Sequence, residues 1–148
     1  DVTVVASSVM LVEARRAASY LANYGISVEV IDIHSVSHPD HEMIIQSVSK
    51  TGRLLVADTS WPAYGLAAEI NRIINERDPR LLSAPSKSLG MQPSPCPTAK
   101  TLEDMYYPDV HDLVRAIVAM VSPDAEERLP LPPKQSMTDF YKHFKGPF

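Results

Sequence analysis

The chain has 148 residues and a formal net charge of −4, which is enough length for one domain with a substantial core. Its 45% hydrophobic and 22% charged residues are ordinary for a globular protein, and the negative charge argues against a nucleic-acid-binding surface. No apolar run approaches the ~20 residues that span a bilayer, so we expect no membrane-spanning segment.

The cysteine content and the first residues bear on location and chain boundaries. The single cysteine, Cys96, cannot form an internal disulfide and fits a reducing compartment, so we predict a cytoplasmic protein. The chain opens on a strand-like run, without an initiator Met or the basic region of a signal peptide. We therefore expect Asp1 to mark a domain boundary.

The first third of the chain alternates strand and helix patterns. A nearly continuous apolar run predicts a strand over Val2–Ala6, and apolar residues at helical spacing between positions 10 and 21 predict a helix that ends at Gly25. A second strand is predicted over Ile26–Ile33. Start signals up to Asp40 then predict a helix that ends at Gly52.

The same alternation continues as far as Val121. A third strand is predicted over Arg53–Ala57, a helix over the apolar positions 66–74, and a weaker fourth strand over Ala84–Leu89. Residues 91–101 contain three prolines and predict an extended, ordered loop, and Pro108 opens the most strongly apolar helix. Repeated strand–helix units with short connections predict an α/β fold, with a mainly parallel sheet covered by helices on both faces.

The end of the chain has a different composition, so we divide the chain into a domain over 1–121, a proline-rich linker over 122–135 and a short amphipathic tail over 136–148. The tail carries Phe140, Tyr141 and Phe144 on one helical face. Three aromatic residues on one face are expected to pack against this subunit or a neighbour. They are interface candidates.

Several sequence patterns bear on whether the chain carries catalytic or ligand-binding residues. The first strand-to-helix turn reads ASSVM, without the glycine that a dinucleotide pyrophosphate requires, and no Walker A pattern occurs. His34, His38 and His41 lie in one segment with two aspartates but without HExxH or HxH spacing. We interpret that segment as a solvated loop, with zinc ligation as the weaker alternative. No G-x-S-x-G motif occurs, and Cys96 lies between two prolines. The sequence thus predicts no catalytic, cofactor-binding or metal-binding residue.

Residues 58–65 read DTSWPAYG and follow the third predicted strand. Ligands and partners of parallel sheets bind beyond the carboxyl ends of the strands. Trp61, Tyr64 and Gly65 are therefore interface candidates. The alternative, held with equal weight for Trp61, is that its ring covers the helix end as part of the local core.

Four segments resemble, in order, motifs of the C-terminal domain that transketolases share with the β subunits of 2-oxo-acid dehydrogenases. Residues 32–40 read DIHSVSHPD where the family typically has D-L-R-T-L-x-P-L-D, and residues 50–59 read KTGRLLVADT against K-T-G-R-L-V-V-V-E-E. Residues 60–70 read SWPAYGLAAEI against G-W-x-x-G-G-x-x-A-E-I, and residues 97–108 read PTAKTLEDMYYP against P-x-A-x-x-L-E-x-x-x-x-P. The resemblance spans residues 1–121 and is closer to the dehydrogenase β subunits.

The chain departs from the family pattern at a few positions. His34 replaces the usual Arg, His38 the usual Pro, and Tyr64 the first glycine of a pair. The acidic pair after the third strand is reduced to Asp58. These changes leave the expected fold intact and leave the substrate and the partner open.

The resemblance implies a three-layer α/β/α sandwich with a mixed, mostly parallel sheet. It also implies that thiamine diphosphate and Mg²⁺ are bound by other domains of the intact enzyme, with no cofactor expected in this segment. The implied partners are a homo- or hetero-oligomer with an α-type chain or domain and, in multienzyme complexes, an acyltransferase core. The alternatives are the C-terminal domain of a transketolase-type ketol transferase and a stand-alone regulatory or binding module.

Overall fold

Strands and helices alternate along the chain in the computed structural model, which describes residues 1–125 and 129–133. The strands are β1 (Val2–Ala6), β2 (Val28–Asp32), β3 (Leu54–Ala57) and β4 (Lys87–Leu89). The helices are α1 (Ser8–Ala22), α2 (His41–Thr51), α3 (Leu66–Arg77), α4 (Lys100–Glu103) and α5 (Val110–Val121), with 3₁₀ turns at Pro79–Leu81 and Pro123–Ala125.

The strands form one parallel sheet in the order β2-β1-β3-β4. In the centre of the sheet, Val4 of β1 pairs with Val30 of β2 on one side and with Leu55 of β3 on the other. The predicted α/β fold with a mostly parallel sheet is confirmed. The four strands found in the described residues are all parallel, so the antiparallel component of a mixed sheet is not among them.

Helices cover both faces of the sheet, which makes the three-layer sandwich. Val2, Val4 and Ala6 of β1 pack with α1 and α5 on one face, whereas Val5 packs with α2 and α3 on the other. This split follows from the alternation of side chains along a strand. Because both faces of the central strands β1 and β3 are buried, these two strands contain nearly continuous apolar runs. Each large apolar side chain buried there stabilises the fold by about 1.5–3 kcal/mol.

Local capping explains where the helices begin and end. Asp40 caps α2 by accepting a hydrogen bond from Met43 N at 3.0 Å, and Gly52 ends that helix with a left-handed φ of 67°. Asp109 and Asp112 form a capping box at the start of α5. The predicted start and end of α2 are thus confirmed.

Three predicted strands are longer than the ladders that form. β3 begins at Leu54, one residue later than predicted, and β2 is limited to Val28–Asp32, although Ile26 and Ile33 on either side are buried. Apolar residues there mark burial, whereas a strand also requires a hydrogen-bonded neighbour, so the pattern overestimates the length of β2. β4 is limited to Lys87–Leu89, and the predicted positions before it include Pro85, which has no N–H for the ladder.

Within residues 1–125 and 129–133, no helix has the length and hydropathy needed to span a membrane.

Candidate interface at the carboxyl edge of the sheet

Three strand ends meet at one edge of the sheet and position the loops that follow them. Ser7 N donates to Ala57 O at 3.4 Å, which joins the ends of β1 and β3. Asp58 N donates to Leu89 O at 3.0 Å, which joins the ends of β3 and β4. The loop after β3 therefore starts from a fixed position between two neighbouring loops.

Asp58 is the polar centre of this edge. Its two carboxylate oxygens accept hydrogen bonds at 2.5 Å from Ser7 Oγ, which is buried, and from Ser60 Oγ. Burial opposes ionisation of Asp58, but the hydrogen bonds from the Ser60 and Ser7 hydroxyls and from the backbone of Thr59 and Ser60 outweigh it. The pKa of Asp58 consequently lies below its usual value, and the carboxylate is charged at neutral pH.

The β3–α3 loop, residues 58–65, presents two aromatic side chains to solvent. Trp61 is 46% exposed and Tyr64 is 96% exposed. Tyr64 also has a φ of 65°, a left-handed conformation that non-glycine residues rarely adopt. The structure thus holds Tyr64 outward in a turn for which a glycine would be better suited.

Gly65 has a structural reason to be glycine. A Cβ at this position would overlap the carbonyl oxygen of Trp61 and the hydroxyl of Ser60. Its φ of −94° is ordinary, so close approach and not backbone conformation excludes a side chain. Gly65 is also partly buried as the N-cap of α3, so it shapes the loop that carries Trp61 and Tyr64.

A second loop, residues 90–107, is attached to the first one. Met91 N donates to Ser60 O at 3.2 Å, and Gln92 N donates to Tyr106 O at 3.0 Å. The Tyr106 hydroxyl donates to Ser94 O at 2.7 Å, and its ring lies edge-on against Tyr107 with centroids 4.8 Å apart. These contacts fix the predicted proline-rich loop on the edge that carries Trp61.

This second loop contributes apolar side chains that are not among the predicted interface candidates. Leu102 is 50% exposed, Met105 67% and Tyr107 37%, all in or just after α4. In the sequence, these large apolar residues cluster at positions 102–107, between a predicted loop and a predicted helix. That cluster is the signal from which this surface could have been predicted. Together with Trp61 and Tyr64 they make up what we call the edge surface.

The edge surface is suited to binding rather than to covalent chemistry. Ser7 and Ser60 both donate to Asp58, whose lowered pKa makes it a weak proton acceptor. Among the described hydrogen bonds, neither hydroxyl contacts a His or Lys that would activate it as a nucleophile. Cys96 is exposed, and its thiol lies 3.7 Å from the neighbouring Pro97 O. Large apolar side chains exposed to solvent are typical of a protein–protein contact.

The histidine segment lies beyond the end of β2. His34, His38 and His41 are all exposed, and Ser37 Oγ lies 3.0 Å from His38 Nδ1. Across the described ranges, 1–125 and 129–133, no group of three or more His, Cys, Asp or Glu side chains is placed to hold a metal ion. The other interface candidates, Phe140, Tyr141 and Phe144, lie outside the described residues, so their packing stays a prediction.

Comparison with known proteins assigns most of this chain to one family. Residues 1–113 match the protein family described as "Transketolase, C-terminal domain". The mitochondrial pyruvate dehydrogenase E1 component subunit beta-2 of Oryza sativa subsp. japonica is 40% identical over 116 residues, which cover 78% of this chain and 31% of that protein. The E1 subunit beta of Rickettsia conorii is 34% identical over 117 residues, 79% of this chain and 36% of that protein.

The solved structures give the same answer for the fold. A chain titled "Split gene transketolase, inactive beta4 tetramer" superposes with a TM-score of 0.73 and 26% identity, covering 82% of this chain and 39% of that one. This chain spans about a third of the length of the curated relatives it matches. The predicted family resemblance is confirmed.

Proposed function

Because this chain belongs to the transketolase C-terminal domain family, we propose that it is the C-terminal domain of a β-type subunit of a thiamine-diphosphate-dependent 2-oxo-acid dehydrogenase. Its task there is to form subunit contacts and to dock partners. The observation that carries the proposal is the match over residues 1–113 together with 40% identity to a β subunit of the pyruvate dehydrogenase E1 component.

The edge surface supports the contact-forming part of this proposal. Trp61 and Tyr64 extend from a loop that Asp58 and Gly65 hold in place, so the rings are displayed on a rigid support. Aromatic anchors on rigid supports contribute most of the binding energy in protein interfaces. We propose that they contact a neighbouring subunit or the α-type chain of the same enzyme.

The described residues do not fit thiamine diphosphate. The acidic Asp58 stands at the carboxyl edge of the sheet, where a diphosphate would otherwise meet backbone N–H groups, and it would repel that group. In the described part of the chain, no buried side-chain nitrogen or oxygen lacks a hydrogen-bond partner that a ligand could supply. We therefore assign cofactor chemistry to other domains of the intact enzyme and derive no step through it here.

The second candidate is a transketolase-type ketol transferase. The superposition on a split transketolase chain favours it, whereas the identity to dehydrogenase β subunits is higher. A stand-alone binding module is the third candidate. The three differ in which other domains and chains accompany this one.

The first experiment is to isolate the native protein, measure its intact mass and identify the chains that co-purify. A polypeptide extended by about one domain and bound to an α-type subunit supports the dehydrogenase, and pyruvate-dependent reduction of an artificial electron acceptor with thiamine diphosphate and Mg²⁺ would identify the activity. A single longer chain that also carries the cofactor-binding domains, and that transfers ketol units, supports the transketolase. A chain of this length that purifies alone contradicts both.

The role of the edge surface is tested in the assembled protein by Trp61→Ala. We expect the affinity between subunits to fall tenfold or more if Trp61 is an anchor. The matched control is Met43→Ala on α2, since Met43 is 52% exposed, close to the 46% of Trp61. Equal assembly of both variants, with unchanged circular dichroism, would place the contact elsewhere.

The predicted cytoplasmic location is tested by cell fractionation, since several relatives carry "mitochondrial" in their names.

A further inference from the structure

The α1–α5 face carries a short proline-rich segment that lies beyond the family match, which ends at residue 113. Residues 129–133 read LPLPP, and they contact this face in the structure. Leu129 and Leu131 pack against the apolar cluster that α1 and α5 form with β1, and Pro132 is buried. We call Leu129–Pro133 the latch segment.

Three side chains of the domain donate hydrogen bonds to carbonyl oxygens of the latch segment. The Tyr20 hydroxyl donates to Pro130 O at 2.5 Å. His111 Nε2 lies 2.6 Å from Pro132 O, and since a carbonyl can only accept, this ring nitrogen carries the hydrogen. A longer contact of 3.4 Å joins the Arg16 guanidinium to Pro133 O.

The donors are themselves held in position. Arg16 bonds both carboxylate oxygens of the buried Glu13, at 2.9 and 3.0 Å. The Tyr20 ring packs against Tyr24 with centroids 5.2 Å apart, and their hydroxyls are 3.1 Å apart. The hydrogen bond with Tyr24 and desolvation raise the pKa of Tyr20 to about 12, so the hydroxyl remains a donor at neutral pH.

This pattern matches the chemistry of a proline-rich ligand. Proline has no N–H, so the three prolines of the latch segment offer only carbonyl acceptors, and the three side chains that contact these carbonyls do so as donors. Each proline fixes φ near −65°, and the residue before a proline is restricted to extended conformations. Leu129, Leu131 and Pro132 all precede prolines, so the segment is largely pre-organised and loses little conformational entropy when it binds.

We propose that Arg16, Tyr20 and His111, with the apolar strip between α1 and α5, form a binding groove for a polyproline-type segment, and that the latch segment is its ligand in cis. The latch covers the apolar strip and can be replaced by a second proline-rich segment. This inference is independent of the proposed enzymatic function, because it rests on contacts to the latch segment, which lies beyond the family match.

The test uses the full chain with the latch disabled by Leu131→Ser and Pro132→Ser. A fluorescent peptide with the sequence of residues 127–135 is titrated and its anisotropy measured. We expect saturable binding to the disabled chain and at least tenfold weaker binding to the unmodified chain, where the tethered latch competes at a high effective concentration. A peptide with alanine in place of the three prolines should bind at least tenfold more weakly.

The matched pair of variants in the disabled chain is Tyr20→Phe in the groove and Tyr64→Phe outside it. Tyr20 donates to the latch, whereas Tyr64 lies in the β3–α3 loop and its side chain is 96% exposed. We expect Tyr20→Phe to weaken binding about three- to tenfold, as the loss of one hydrogen bond does, and Tyr64→Phe to leave it unchanged. Absence of saturable binding to a chain with native circular dichroism, or equal binding of the alanine peptide, would overturn the proposal.

A second measurement serves if the disabled chain fails to fold. In the otherwise unmodified chain, trypsin cleavage of the bond before Leu129 should accelerate threefold or more when Tyr20→Phe and His111→Gln are combined. Tyr64→Phe should not change that rate. An unchanged rate in the combined variant, with the fold intact, would mean that these donors do not hold the latch.

Discussion

Replacement of Asp58 by Asn should destabilise the domain in a manner that depends on pH. The asparagine amide has one oxygen and can accept only one of the two hydroxyl hydrogen bonds that Ser7 and Ser60 donate to the carboxylate. The other hydroxyl loses its acceptor, and the remaining bond loses its charge. We expect a loss of about 1–2 kcal/mol at pH 7, because hydrogen bonds to charged groups contribute about 1.5–3 kcal/mol and neutral ones about 1 kcal/mol.

The sign of the pH dependence follows from the lowered pKa of Asp58. A group with a depressed native pKa contributes its full stabilisation above its unfolded value of about 3.9, and loses it as the pH falls through the lower native value. The protonated aspartic acid then resembles asparagine. The difference between the native protein and Asp58→Asn should therefore be largest at pH 5–7 and shrink below about pH 4.

Urea unfolding followed by circular dichroism at pH 7, 5 and 3 measures this difference. Fluorescence of the single tryptophan, Trp61, gives a second probe three residues from the substitution. The matched control is Asp32→Asn, which removes the same charge from an exposed position at the end of β2. If Asp58→Asn were as stable as the native chain at pH 7, or if its deficit persisted unchanged at pH 3, the account of Asp58 would be wrong.

Three further substitutions test how the chain shapes its loops and helix ends. Tyr64→Gly should raise stability by up to about 1 kcal/mol by relieving the left-handed φ, whereas Tyr64→Ala should not, which thermal melting can resolve. Gly65→Ala should destabilise by about 1–3 kcal/mol, because its Cβ would meet the Trp61 carbonyl, and the tryptophan emission should shift with it. Asp109→Ala removes the hydrogen bonds to the backbone N–H groups of His111 and Asp112 and should lower stability by about 0.5–2 kcal/mol in chemical denaturation. A stabilised Gly65→Ala, a destabilised Tyr64→Gly or a neutral Asp109→Ala would contradict the respective explanation.

The sequence was sufficient to predict the elements whose causes are local. Val2–Ala6 is a strand with the predicted bounds, because a short apolar run between polar residues has few other solutions. The cap at Asp40 and the end at Gly52 depend on side-chain and backbone chemistry within a few residues. Short α4, over Lys100–Glu103, was not predicted, since four residues carry too little periodicity to be recognised.

The candidate site was predicted only in part, because most of it depends on contacts between distant residues. The position of Trp61 and Tyr64 at the carboxyl edge follows from the parallel sheet and the strand order of the fold class. Their support does not, since Ser7 reaches Asp58 across 51 positions of the chain. The contact from Tyr20 to Pro130 spans 110 positions and joins a helix to a segment that composition alone had marked as a linker.

The α1–α5 face and the edge surface differ in whether another part of the chain covers their side chains, and this difference indicates different roles. On the α1–α5 face, the apolar strip and its donors are already matched by a segment of the same chain, so the partner is local. At the carboxyl edge, Tyr64 is held in a conformation that disfavours it by about 1–2 kcal/mol, yet its side chain is 96% exposed. An unfavourable backbone conformation that yields so little burial within the chain is explained most simply by a contact outside it. Tyr64→Gly should then raise the stability of the isolated domain and lower the stability of the assembled enzyme. A purely local role of Tyr64 would instead change both stabilities in the same direction.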